Sequence, residues 1–264
     1  MTSLTSPPAR VRESGAFAEL AKANARELVR DPKNFFFVLV FPLIFMALFL
    51  FMGTLNPADG AGDFDPMRAG IPAVLLMAFM SLAFFGTATP LISLRQKGTL
   101  RMLGTTPLNR TVFILAQAPV RFAIALGQLA ALSTVALATG FLEPSAIGRL
   151  LISCVLGLAM LFALGYMVAA RMRNPELANG VLALVMPVLL MFSGVFLPME
   201  IFPETVRAVA ERLPTSYFAD ALRQDLVGVP GGSIVTAWLV MAGVAIVAAT
   251  VAVTLFSWTD GEKR

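Results

Sequence analysis

The chain contains no histidine, and that absence removes a good deal of chemistry at once. Serine–histidine and cysteine–histidine nucleophile pairs, the HExxH zinc motif and imidazole ligation are all excluded. Cysteine is nearly absent as well. Cys154 is the single one and falls in an apolar run, so no intrachain disulfide forms and no redox site is indicated. Charge is scarce, at 14% of residues, where soluble domains carry about a quarter. No Gly-Lys pair occurs anywhere, so the GxxxxGKS/T loop that cradles nucleotide phosphates is missing.

What the chain has instead is apolar length. Its 264 residues are 58% hydrophobic, with a mean hydropathy of +0.80. Several runs approach or exceed the twenty or so residues that cross a bilayer as helix, which places the chain among polytopic membrane proteins. The expected fold class is an all-α membrane protein with six transmembrane helices at about 35–53, 71–94, 111–140, 147–170, 177–197 and 233–257. Residues 1–34 read as a cytosolic tail and interfacial helix, 35–257 as the six-span domain, and 258–264 as a second cytosolic tail. No cleavable signal peptide is expected, because a long polar stretch precedes the first apolar run. No internal repeat or low-complexity segment stands out.

Between Ser14 and Arg30, Phe17, Leu20, Ala21, Asn24 and Leu28 recur at helical spacing among Lys22, Arg26 and Arg30. An amphipathic helix lying on the inner membrane surface fits this pattern; an ordinary soluble helix is the alternative. Asp31-Pro32 then reads as a helix start. Pro42 should release a backbone carbonyl inside the first span, to be served by a neighbouring helix.

Charge gives an orientation. With the N-terminus inside, the inner segments hold 14 of the 20 Lys and Arg. The outer segments hold five, diluted by nine acidic residues between Asp59 and Asp225. The positive-inside rule then places both termini in the cytosol of a multi-pass protein of the cell membrane, a bacterial plasma or inner membrane. The basic balance, net +4, follows from that rule and calls for no nucleic-acid partner.

Three features stand out of pattern. Arg121 lies within the third apolar run, and helix from there to Gly140 already covers about 28 Å. The expectation is therefore an arginine at the inner interface, with Pro119 kinking the junction and a pathway-lining arginine as the alternative. The segment 198–232 is broken by Pro198, Pro203 and Pro214. Its apolar residues still fall at helical spacing: Val206, Val209, Ala210 and Leu213, then Tyr217, Phe218, Ala221, Leu222 and Leu226. Two short amphipathic, re-entrant helices before the last span would account for it. Ser193-Gly194 might suggest a serine nucleophile, but with no histidine Ser193 is expected to be a small packing residue or to bond a backbone carbonyl.

The stretch that differs most from lipid-facing helix is the basic island from Arg95 to Arg110, RQKGTLRMLGTTPLNR. Apolar Leu100, Met102 and Leu103 sit among its charges, so it needs a partner at the membrane face; a plain headgroup-bound loop is the alternative. This island resembles the KGTLE…TPL segment of ABC-2 type ABC transporter permeases. ARELVRDPKNFFFVLVFPLIF resembles that family's basic pre-helix and proline-containing first span. FSGVFLPMEIFPETVRAVAERLPTSYFADALRQ resembles its segment before the last span. The similarity runs nearly end to end.

The resemblance implies a permease subunit of an ATP-driven exporter. It implies a cytosolic coupling helix at the island, with Lys97, Gly98, Thr99, Leu100, Arg101 and Pro107 at the matching positions, docking on a separate ATPase subunit. Two such ATPase copies and a second permease chain, in a homodimer or heterodimer, are the implied partners, besides membrane lipids. ATP and Mg would be cofactors of the partner, with none on this chain. Arg101 stands where the family usually has Glu, and Arg95-Gln96 replaces an acidic lead-in, so the docking face is expected to be unusually basic.

For cargo, Phe79, Met80 and Phe84 on the second span and Met186, Met191 and Phe192 on the fifth could line an adaptable apolar pathway. Plain helix packing is the alternative. An amphipathic drug-like compound, as in multidrug resistance, or a lipid is the expected substrate, with a sugar-polymer precursor left open. The competing function is a secondary transporter driven by an ion gradient. It is disfavoured because the sequence offers no buried Asp, Glu or His among the spans.

Overall fold

Every regular element among the described residues is a helix. The computed structural model describes Arg26 and residues 32–55, 66–98, 110–196 and 199–255. The expected interfacial helix at 14–30, apart from Arg26, the C-terminal tail, and Thr99, Leu100, Arg101 and Pro107 of the island lie outside them. We number the principal helices α1 (Phe36–Leu55), α2 (Arg68–Gln96), α3 (Arg110–Ala138), α4 (Ile147–Arg171), α5 (Pro175–Phe192), α6 (Glu204–Ala210), α7 (Pro214–Val227) and α8 (Ile234–Leu255). Six of them, α1 to α5 and α8, are long and apolar enough to cross a membrane.

The starts and stops follow local chemistry. A short turn from Pro32 to Phe35 leads into α1, with proline in the first helical turn. Asn174 caps α5, its side-chain oxygen accepting from the N–H groups of Glu176 and Leu177. The fifth span was expected to reach 197 but ends at Phe192. Gly194 takes a φ of +76° there, and Ser193 Oγ donates to the Leu190 carbonyl at 2.6 Å. Ser193 is thus the carbonyl-bonding residue the sequence indicated.

α2 is the central element, with 94% of an apolar 18-residue stretch buried against 17% of the corresponding stretches in α1 and in α8. Such a helix must be apolar all round, and α2 reads so from Ile71 to Ala83 apart from Ser81, whose Oγ donates to the Ala78 carbonyl. In lipid, hydrophobicity does not drive helix against helix, so close packing and hydrogen bonds must. Glycines supply the approach. A Cβ on Gly165 of α4 would sit 2.6 Å from the Ala83 carbonyl oxygen of α2, and one on Gly157 would enter the Phe218 ring. Phe218 of α7 in turn stacks on Phe79 of α2, centroids 6.1 Å apart.

α1 and α2 share an irregularity. Each has one π-helical stretch, Phe36–Val40 and Phe84–Ala88, followed after one residue by a proline, Pro42 and Pro90. The sequence carries the same signature twice, FFVLVFP and FFGTATP, a short repeat that composition and periodicity had not revealed. In a regular helix the N–H of residue 42 would serve the Val38 carbonyl and that of residue 90 the Gly86 carbonyl; proline has none. Both carbonyls are served from α3. Gln128 Nε2 donates to Val38 O at 2.8 Å, and Arg121 Nε donates to Gly86 O at 3.0 Å. The supply expected for Pro42 is therefore present. Arg121, two residues into the span that starts at Pro119, is 8% exposed and turns into the bundle. A released carbonyl is the reason, since it offers a guanidinium a partner where bulk water is absent.

The segment between α5 and α8 forms the two short helices its apolar spacing indicated, α6 and α7. Phe218, Ala221, Leu222 and Leu226 of α7 are fully buried, whereas Val209 of α6 is exposed. Side chains bind the segment to its neighbours. Ser216 Oγ donates to the carbonyls of Phe192 and Ala210, Arg223 Nη1 donates to Gly194 O, and Arg68 donates through Nε and Nη2 to Val227 O at the C-terminus of α7. A cation at that helix end also meets the negative pole of its dipole.

Candidate functional site

The island leaves α2 through a left-handed turn. Gly98 has a φ of +73°, and its N–H donates to the Arg95 carbonyl at 3.0 Å, closing the helix. Lys97 is exposed just before it. Arg95, expected to add to a basic docking face, does not. Its guanidinium is buried, and Nη1 donates to Ala169 O at 2.9 Å and to Met172 O at 3.4 Å. These are carbonyls at the C-terminal end of α4, where a cation is favoured. One turn and a half earlier, Thr89 Oγ1 donates to Asn179 Oδ1 of α5 at 2.8 Å. The end of α2 that carries the island is therefore tied to α4 and α5.

An apolar cavity of about 290 Å³ lies between α1, α2 and α5. Phe37, Phe41 and Phe45 of α1, Met77 and Phe85 of α2, Met186 and Met191 of α5, and Phe196 form most of its wall. Aromatic and thioether groups with almost no polar surface suit an apolar body held by shape and dispersion. Of the six residues picked from the sequence, Met186 and Met191 line this cavity. Phe79, Met80 and Phe84 are buried in helix packing around α2, and Phe192 packs on Phe202 at 5.3 Å. The phenylalanines of α1 carry no signal in the sequence that marks them as cavity-lining; the fold turns Phe37, Phe41 and Phe45 toward α5.

A buried polar cluster was also missed. Asp225 of α7 is 2% exposed. Ser153 Oγ donates to its Oδ2 at 2.7 Å, Trp238 Nε1 donates to Ser153 Oγ at 3.0 Å, and Arg149 Nε lies 3.1 Å from its Oδ1 as an ion pair not aligned as a hydrogen bond. This buried carboxylate belongs to α7, between the fifth and sixth spans, and not to a span itself. Burial pushes the Asp225 carboxyl up from its ordinary range, against the opposing pull of Ser153 and Arg149. The cluster joins α4, α7 and α8, away from the cavity walls. Its distance along the chain hid it: Ser153 and Asp225 are 72 residues apart. Among the described residues no cluster of three or more His, Cys, Asp or Glu could hold a metal ion.

Residues 16–227 match the family profile described as ABC-2 type transporter. Comparison with individual curated proteins gives no match. The profile takes in the proline-broken α1, the enclosed α2, the island sequence and the α6–α7 segment. This multi-pass chain belongs to the ABC-2 type transporter family and is its membrane permease component.

Proposed function

We propose that the chain exports an amphipathic, largely apolar compound or a lipid, powered by a separate ATPase subunit that docks on the island between α2 and α3. One observation carries the coupling. The island is rooted in α2, the most enclosed helix, so a displacement there reaches every helix packed on α2. Absence of a phosphate-binding loop in the sequence supports hydrolysis on the partner. The all-apolar wall of the α1–α2–α5 cavity supports the cargo class. Both termini and the island face the cytosol, and α6 and α7 dip into the outer leaflet. A second permease copy pairs with this one across exposed apolar faces such as that of α1, where Leu43, Ile44 and Phe51 are uncovered.

Docking is tested by purifying the chain with its ATPase subunit. Lys97→Glu combined with Arg101→Glu is expected to reduce recovery of the ATPase by about tenfold or more, because reversed charge at an interface costs several kcal/mol. Unchanged recovery would sink the docking claim. Orientation is tested separately. Cys154 is buried, so Lys97→Cys provides one reactive thiol in the native background. A membrane-impermeant maleimide should label it in inverted vesicles and not in right-side-out ones.

A further inference from the structure

We infer that the two FFxxxxP segments form one paired hinge, held by Arg121 and Gln128 of α3, which sets the wall of the cavity and relays the movement of the island. This rests on the coupling reading above and adds to it the residues that transmit the motion.

Four observations converge. The two segments have the same design: a π-helical stretch, one residue, then proline. They lie against each other, with the second phenylalanine of each, Phe37 and Phe85, stacked at 5.1 Å. A Cβ on Gly86 would come within 3.2 Å of Val38 Cγ2, so the two breaks pack together at the residues whose carbonyls proline leaves without a backbone donor. Both carbonyls are then taken by side chains of one helix, Gln128 for Val38 and Arg121 for Gly86. Residues 121 and 128 are seven apart, two turns, and so share a face of α3. A π-helical turn beside a proline is a weak point in a helix, where a kink can form and shift.

The position gives the hinge its work. Phe37 lies in the first break and Phe41 directly follows it, Phe85 lies in the second, and all three line the cavity. The chain from Gly86 down to Gln96 and the chain from Arg110 up to Arg121 are helices of nearly equal length, about 15 Å each at helical rise. The island joins their lower ends, and the Arg121–Gly86 bond ties their upper ends. Force on the island is thus delivered at the hinge rather than lost in independent bending of two helices. Arg121 is a positioning residue: it touches the backbone that shapes the cavity, not the cargo.

Restoring the missing donor tests this directly. Arg121 makes other contacts as well, so its loss alone is not diagnostic. Pro90→Ala supplies an N–H for the Gly86 carbonyl and should make the guanidinium dispensable there. Hydrogen exchange is measured on the full-length chain in lipid nanodiscs. Arg121→Met is expected to speed exchange of the amides from Thr87 to Ile92 by about tenfold, as loss of a charged hydrogen bond would. Arg121→Lys should restore it in part, and Pro90→Ala in the Arg121→Met chain should restore it nearly fully. If Arg121→Met alone does not fold, recovery of a folded chain by added Pro90→Ala counts as the same result. Unchanged exchange in Arg121→Met, or no recovery with Pro90→Ala, overturns the hinge.

A second arm uses the chain assembled with its ATPase. ATP should alter exchange around Gly86 in the parent assembly. The Arg121→Met assembly should lose that response while still hydrolysing ATP. A parent assembly that ignores ATP overturns the coupling reading, whereas the first arm judges the hinge by itself.

Discussion

At Asp225 a carboxylate, a hydroxyl, an indole N–H and a guanidinium meet inside a largely apolar protein. Its raised pKa fixes the sign of a pH effect. Below the ordinary value of 3.8 the group is protonated whether the chain is folded or not, and its contribution is fully retained. As pH rises from 3.8 through the higher folded value, the unfolded chain releases the proton first, and stability falls. Asp225→Asn should flatten that part of a melting temperature against pH curve in detergent; an unaltered slope would show that another group titrates. Glycine at 165 makes a simpler case. Any side chain there meets the Ala83 carbonyl, and backbone cannot step aside as a side-chain tip can. Gly165→Val is expected to cost about 1–3 kcal/mol as overpacking, read as a lowered melting temperature. Neither environment could be read from the sequence, because both partners come from distant helices. Arg121 shows the same limit: the residue stood out at once, but the carbonyl that explains it lies 35 positions away.

Among the elements, α2 was visible as an apolar run, yet its central place was not. A helix apolar on every face is compatible with lipid on all sides or with protein on all sides, and only packing decides. α7 was more legible. Its spacing of Phe218, Ala221, Leu222 and Leu226 marks one buried face, and the structure buries it. The π-helical breaks were written in the sequence as FFxxxxP, but the motif acquires meaning only when the two copies are seen in contact. The end of α2 separates two roles that sequence had merged. Arg95→Met should lower stability by about 1.5–3 kcal/mol, the range for a hydrogen bond to a charged group, while leaving recovery of the ATPase subunit unchanged. Lys97→Glu should do the reverse. At Gly98, Ala is expected to cost about 1 kcal/mol in the left-handed turn while Asn costs less, measured as fraying of the last turn by hydrogen exchange.

For the whole molecule, the contrast between an enclosed α2 and exposed α1, α5 and α8 describes a bundle whose outer helices meet lipid or another subunit. Leu184, Leu239, Ile246 and Val253 are each among its most exposed apolar side chains. Six spans and their order were legible because hydropathy over about twenty residues is a strong signal. The cavity was only half legible: α5 supplied two of its methionines, while the α1 wall depends on how that helix is rotated.

The enclosure of α2 also bears on biogenesis. Ribosomes deliver spans in order, so α2 enters the bilayer long before α7, which covers Phe79, has been made. Until α3 emerges, the Gly86 carbonyl must wait among lipids or borrow a temporary donor. A nascent chain stalled before residue 121 would therefore display an incomplete second helix, the sort of exposed polar backbone that membrane quality-control proteases are placed to detect.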